Sequence, residues 1–182
     1  MRKTIPSVTV LLLLICSVLL FSISIAGAKG NEFEVAIEVT AHWNEDLLAL
    51  DIETNLPDET ELMLSISRAN YNDISPDNFM AQTKVTIVDG KASFEGFSHK
   101  GNKMAGGYDL CISMSLPSLQ SDAVRAVIGE KGENMTGDYA KEDPDFESKM
   151  VEAIFTVMAA DDEITVTPAE DYQFTIFRED DE

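Results

Sequence analysis

The stretch from Asp51 to Ser67, DIETNLPDETELMLSIS, constrains the fold more than any other part of the chain. Leu48, Leu50 and Ile52 alternate with polar or small residues on one side of it, and Leu62, Leu64 and Ile66 do so on the other. A helix would space its apolar side chains by three or four, whereas a period of two puts each set on one face of a sheet. Leu56-Pro57-Asp58-Glu59-Thr60 between them predicts a turn. Proline pre-sets the φ that a second turn position needs, and aspartate can bond to nearby backbone. Two half-buried strands about a turn need a further surface to cover them.

The rest of the chain offers that surface. Phe33, Val35, Ile37 and Val39 alternate with polar or small neighbours, which predicts a strand from Glu32 to Trp43 with an acidic outer face. Arg68 to Ala81 reads as a loop. Lys84–Val88 and Ala92–Phe94 flank Asp89-Gly90, a pair that readily takes positive φ, and so read as a hairpin. In Tyr108–Met114 the apolar set is Tyr108, Leu110, Ile112 and Met114, and Cys111 has the opposite parity. Ser121-Asp122 starts a short helix that Gly129 ends. Gly129 to Asp143 reads as a polar loop, with a helical turn at Asp143-Pro144-Asp145. Met150–Met158 fits both periods, and its Val, Ile, Phe and Thr content favours a strand buried on both faces. Glu163–Thr167 and Tyr172–Phe177 complete about eight strands. The pattern is an all-β chain, an antiparallel two-sheet immunoglobulin-like sandwich with one or two short helices.

Residues 1–28 carry the marks of an export signal: Arg2 and Lys3, an uncharged apolar run from Val8 to Ile25, and Ala26-Gly27-Ala28 as a cleavage site. If residues 8–25 are retained, the same run is just long enough to anchor the chain in a membrane. Ile15 stands before Cys16 where a lipoprotein signal needs a small residue. The expected division is a signal at 1–28, a sandwich domain at 29–177 and an acidic tail at 178–182, with the body in the periplasm or outside the cell. Residues 1–28 hold two bases and no acid, so removing them leaves 11 basic and 33 acidic residues and a formal charge of −22. Such a body repels nucleic acid and anionic membrane surfaces, and it suits either solubility or a cationic partner. Cys111 is then left without an intramolecular partner, and the fold must rest on its core.

Gly107-Tyr108-Asp109-Leu110 resembles the strand entry of bacterial immunoglobulin-like and transthyretin-like sandwiches, in which a tyrosine locks a corner. The blocks at 54–62, 96–101 and 126–134 resemble uncharacterised exported bacterial proteins, and the similarity covers about residues 47–137. Glu59 stands where those proteins suggest glycine, and Ala105-Gly106 where they suggest proline. The resemblance implies a sandwich and export, and it brings no activity with it.

Candidate chemistry is sparse. His42 and His99 are the only histidines. Ser98 beside His99 points the opposite way in extended chain, and there is no G-x-S-x-G turn. His42, His99 and Cys111 match no zinc-ligand spacing. The glycines of 129–137 lack the lysine and hydroxyl that end a phosphate loop. Asp138, Glu142, Asp143, Asp145 and Glu147 are the plausible oxygen ligands for Ca²⁺, although they lack the D-x-[DN]-x-[DN]-G order and equally suit a solvated loop. The expectation is an exported, non-catalytic β-sandwich that binds or scaffolds a protein or cationic partner, with no cofactor required. The alternatives are a Ca²⁺-stabilised adhesive or structural module and a secreted hydrolase.

Overall fold

The computed structural model describes residues 32–69, 79–160 and 162–169. The export signal, the acidic tail and the strand expected at Tyr172–Phe177 lie outside the described residues. No described helix is long and apolar enough to cross a membrane.

The chain runs through β1 (Phe33–Glu34), β2 (Ile37–Asn44), β3 (Leu47–Thr54), β4 (Glu61–Arg68), β5 (Met80–Thr86), β6 (Lys91–Phe97) and β7 (Gly106–Met114). A 3-10 turn (Pro117–Leu119) and α1 (Asp122–Ile128) follow, then β8 (Met135–Thr136), β9 (Ala140–Asp143), β10 (Ser148–Ala160) and β11 (Glu163–Pro168). One sheet has the order β2-β3-β6. A larger sheet has the order β11-β10-β7-β4-β5, with β9 also paired to β10. All pairings in both are antiparallel. β1 and β8 form a small parallel pair. The protein is thus mostly β, with several antiparallel sheets, and its architecture is consistent with an all-β sandwich.

Both large sheets contribute to one hydrophobic core. Leu48, Leu50 and Ile52 from β3 meet Leu62, Leu64 and Ile66 from β4, Tyr108, Leu110 and Ile112 from β7, and Val151, Phe155 and Val157 from β10. The alternation seen in the sequence therefore sets which side chains go inward. It does not set which strands pair. β3 and β4 leave the 56–60 turn into different sheets, so this turn crosses between sheets and does not close a hairpin. Asp89-Gly90 behaves in the same way. Both residues take positive φ, +52° and +71°, as the sequence predicts. Yet β5 pairs with β4, β6 pairs with β3, and a single bridge between Val88 and Lys91 joins the arms. The two crossings are tied together: Glu59 N–H donates to Ile87 O and Ile87 N–H to Thr60 O, both at 2.9 Å.

Other expectations need adjustment. The first strand breaks at Val35-Ala36, because side chains take over its ladder: Asn55 accepts from Ala36 N and donates to Glu34 O, and Thr54 Oγ1 donates to Ala36 O. β4 extends to Arg68 and β5 starts at Met80, inside the expected loop. Asp143-Pro144-Asp145 forms the turn of the β9–β10 hairpin, where Asp143 Oδ1 accepts from the Asp145 and Phe146 amides, and not a helical turn. β10 is the strand expected at Met150–Met158, but only one of its faces is fully buried.

Tyr108 is fully buried at the entry to β7. Its hydroxyl donates to Ala105 O at 3.1 Å and accepts from Arg68 Nη1 at 3.0 Å, and Arg68 also donates to Ala105 O. Tyr108→Phe removes the hub of this network and leaves its partners to find water in a closed corner. Chemical denaturation should show a loss of about 1–3 kcal/mol.

Candidate functional site

Among the described residues, one end of the molecule carries an elaborated set of connections. It gathers the 56–60 crossing, the Asp89-Gly90 turn and the long connection from β7 to β10, which carries the 3-10 turn, α1, β8 and β9. Side chains fix this connection to the sheets. Gln120 is buried and clasps the edge of β4, accepting from Glu61 N at 3.0 Å and donating to Glu61 O at 3.2 Å. Ser121 caps α1 by accepting from Val124 N, as its sequence position predicts, and its hydroxyl donates to Glu59 Oε2 at 3.0 Å. Val124 and Ile128 bury the inner side of α1.

The loop after α1 closes on itself. The Glu133 carboxylate accepts from Lys131 N at 2.8 Å. Backbone amides, first its own and then those of Lys131 and Glu130, hold its carboxyl below the usual range. An acid so shifted stabilises the fold above its unfolded value, near 4.5, and that contribution is lost as pH falls further. Glu133→Gln should lower the melting temperature slightly at pH 7, and the gap from the parent should narrow as pH falls below the usual carboxylate range. Asn134 donates its side-chain amide to Val127 O at 2.8 Å, so the nitrogen of the Asn134-Met135-Thr136 triplet acts as a helix C-terminal tie.

What this end shows to solvent is both apolar and acidic. Among the described residues the large hydrophobics most exposed are Met80, Val88, Leu119, Val127, Phe146 and Met158, and four of the six lie here. Leu119 is 72% exposed, Val88 63% and Phe146 61%. Asp58, Glu59, Asp89, Asp122, Glu130, Glu133, Asp145 and Glu147 are exposed around them. Arg125 is already paired with Asp122 and Glu130, and Lys131 with Glu147.

The five acids expected as Ca²⁺ ligands follow the β9–β10 hairpin and do not converge. Asp138 precedes it and is exposed, and Glu142 is exposed on β9. Asp143 spends one oxygen on the turn amides, Asp145 is exposed within the turn, and Glu147 faces Lys131. No group of three or more His, Cys, Asp or Glu among the described residues is placed to hold a metal ion. His42 and Cys111 lie on the outer faces of different sheets. His99 stacks on Phe79 at 5.0 Å between ring centres.

One polar array has no signature in the sequence, because it exists only through cross-strand register. Thr40, Asp51 and Ser93 are neighbours across β2, β3 and β6. Ser93 Oγ donates to Asp51 Oδ1 at 2.6 Å, and His42 Nδ1 lies 3.4 Å from Asp51 Oδ2. Thr40, Asp51 and Ser93, with Glu38, Glu53 and Lys91, line a groove of about 470 Å³, and His42 lies outside that lining. The types are those of a hydrolase triad, but the order is wrong. The carboxylate sits between hydroxyl and imidazole, so the histidine is not placed to take the serine proton.

No family model, curated protein or solved structure matches this chain.

Proposed function

We propose that this protein is an exported, non-catalytic β-sandwich of immunoglobulin-like type that binds a cationic partner outside the cytoplasm. The observation that carries the reading is the elaborated end: exposed apolar side chains set among acids, on a connection anchored through Gln120 and Ser121. Loops held by a rigid scaffold are where sandwich domains place recognition. The strand orders β2-β3-β6 and β10-β7-β4-β5, together with the Tyr108 corner, support the immunoglobulin-like assignment. The Ser93–Asp51–His42 order argues against a hydrolase triad at the groove.

Export is tested by N-terminal sequencing of protein recovered outside the cytoplasm. The mature chain should begin at Lys29, and a full-length chain held in the membrane would mean that residues 8–25 serve as an anchor. Partner charge is tested by calorimetric titration with a lysine oligomer and a glutamate oligomer of equal length. Only the lysine oligomer should bind, and its affinity should fall steeply with added salt.

A further inference from the structure

The two large sheets present different outer faces. On the smaller one, cross-strand register places Glu38, Glu53 and Lys91 in one row and Thr40, Asp51 and Ser93 in the next, so that face is crowded with charge. The larger sheet is built otherwise. Its outward positions form rows across the strands: Lys84, Met63, Ser113 and Glu152, then Gln82, Ser65, Cys111 and Ile154. The third row is Met80, Ser67, Asp109, Thr156 and Thr167, and the fourth holds Gly107, Met158 and Thr165. Hydroxyls, one amide, a thiol and apolar side chains make up most of this face, in a chain with 33 acids. Its charges are few. Lys84 pairs at 3.5 Å with Glu61 at the rim, which leaves Asp109 and Glu152. Burial raises the Asp109 carboxyl above its ordinary value, so this acid is already partly desolvated. Met80 and Met158, 55% and 48% exposed, flank the centre from β5 and β10. β7 is the middle strand of the order β11-β10-β7-β4-β5, so Cys111 and its neighbour Ser65 lie at the middle of the face.

We infer that the charge-poor outer face of the larger sheet is the contact between two copies of this chain, which meet face to face about a two-fold axis near Ser65 and Cys111. Charge selects this occupant. Each copy carries the −22 of the mature body and is repelled by the acidic surfaces of the other. A two-fold contact sets the same patch against itself, and this face lets like meet like with few opposed carboxylates. Its size sets the strength. Four rows on five strands cover roughly 20 by 24 Å, or about 500 Å² per copy before side-chain relief is counted. Two such faces bury about 1,000 Å², the lower bound of a specific interface, so the dimer is weak and reversible. Added salt should strengthen it by screening the repulsion between copies, whereas salt weakens the binding of a lysine oligomer.

The test is sedimentation of the mature chain from about 10 μM to about 1 mM, in low and in high sodium chloride. The average mass should rise toward that of a dimer with concentration, and rise further at high salt. Ser65→Glu puts two unpaired carboxylates near the axis and should weaken association at least about tenfold at high salt. Thr40→Glu adds the same charge to the outer face of the smaller sheet and should change it by no more than about twofold. Met80→Ser/Met158→Ser replaces side chains that are already exposed, so the fold is kept, and it should weaken the dimer through lost apolar contact. A chain that stays monomeric at the highest concentration and salt overturns the inference, as does an association that loosens with salt. A dimer that Ser65→Glu and Thr40→Glu weaken alike, or that the methionine variant leaves intact, lies on another surface and overturns it too.

Discussion

Replacing Ile112 by alanine should lower stability by about 2–5 kcal/mol, the range for deleting a large aliphatic side chain from a core that cannot collapse around the gap. Ile112 is fully buried in the middle of the larger sheet, opposite Leu64 on β4 and Ala153 on β10. Ile112 and Leu64 belong to ladders fixed on both sides, so the backbone there has little freedom to close the void. Its neighbour Cys111 behaves differently. Strand parity turns it to the outer face, where its cross-strand neighbours are Ser65 and Ile154. Cys111→Ser should cost under about 1 kcal/mol, in keeping with a site that borders no core. The outward position does not make the thiol reactive. Burial, and then the nearby Glu152 carboxylate, push it up to about 11. At pH 7 only about one thiol in ten thousand is ionised with such a value, and the thiolate is the nucleophile. Native-state labelling should therefore be slow at pH 7 and rise close to tenfold per pH unit up to about pH 10. Fast labelling at pH 7 would show a thiol more solvated than this face allows. A pH-independent rate equal to that of global unfolding would show one fully covered.

The contrast between these neighbours marks how far sequence reasoning carries. Parity in β3, β4 and β7 could be read directly, since burial of one face demands period two, and those inward sets belong to the core, whereas Met150–Met158 fitted both periods and its one buried face was not foreseen. The helix cap at Ser121 and the positive φ pair at Asp89-Gly90 were legible for the same reason: a local conformation selects local chemistry. Strand partnership was not. A tight turn specifies that the chain reverses, and both a hairpin and a crossing between sheets satisfy it. What decides between them here is remote: Ile87 exchanges hydrogen bonds with Glu59 and Thr60, twenty-odd residues earlier. Glu59 takes φ +70°, the conformation for which glycine is the usual choice, so the unusual residue at that turn was a visible signal of an unusual path. The candidate site was legible only as acids and a short helix. Its anchor, Gln120 on the Glu61 backbone, joins residues 59 positions apart. The Ser93–Asp51–His42 array needed register across three strands. β8 and β9 escaped notice because Met-Thr and Ala-Lys-Glu-Asp are too short and too polar to show a period.

A large effect of a single small change is expected at Gly96. Leu48 pairs with Phe97 and Leu50 with Phe94, so Ala49 faces two residues of β6, Glu95 and Gly96. This extra residue is a β-bulge, and it shifts the parity of β6. Without it Phe94 and Phe97, three apart, would point to opposite faces. With it both turn inward, Phe97 is buried, and the rings lie 4.5 Å apart between centres. The bulge requires φ +143° at Gly96, and a Cβ there would fall 2.5 Å from Leu47 Cβ and 3.0 Å from the Leu48 carbonyl carbon. Gly96→Ala must therefore either part β3 from β6 or abandon the bulge and swing Phe97 out of the core. Positive-φ strain and overpacking together should cost about 2–4 kcal/mol in urea denaturation. Gly101→Ala provides the comparison. Gly101 has φ +78° but nothing within 4 Å of its virtual Cβ. Only conformational strain applies there, and about 1 kcal/mol should be lost. Equal losses at the two positions would mean that strain alone sets the cost and that β3 presents no wall at the bulge. A larger loss at Gly96, with unchanged denaturant dependence, would place the penalty in the native packing of Leu47, Leu48 and Phe97.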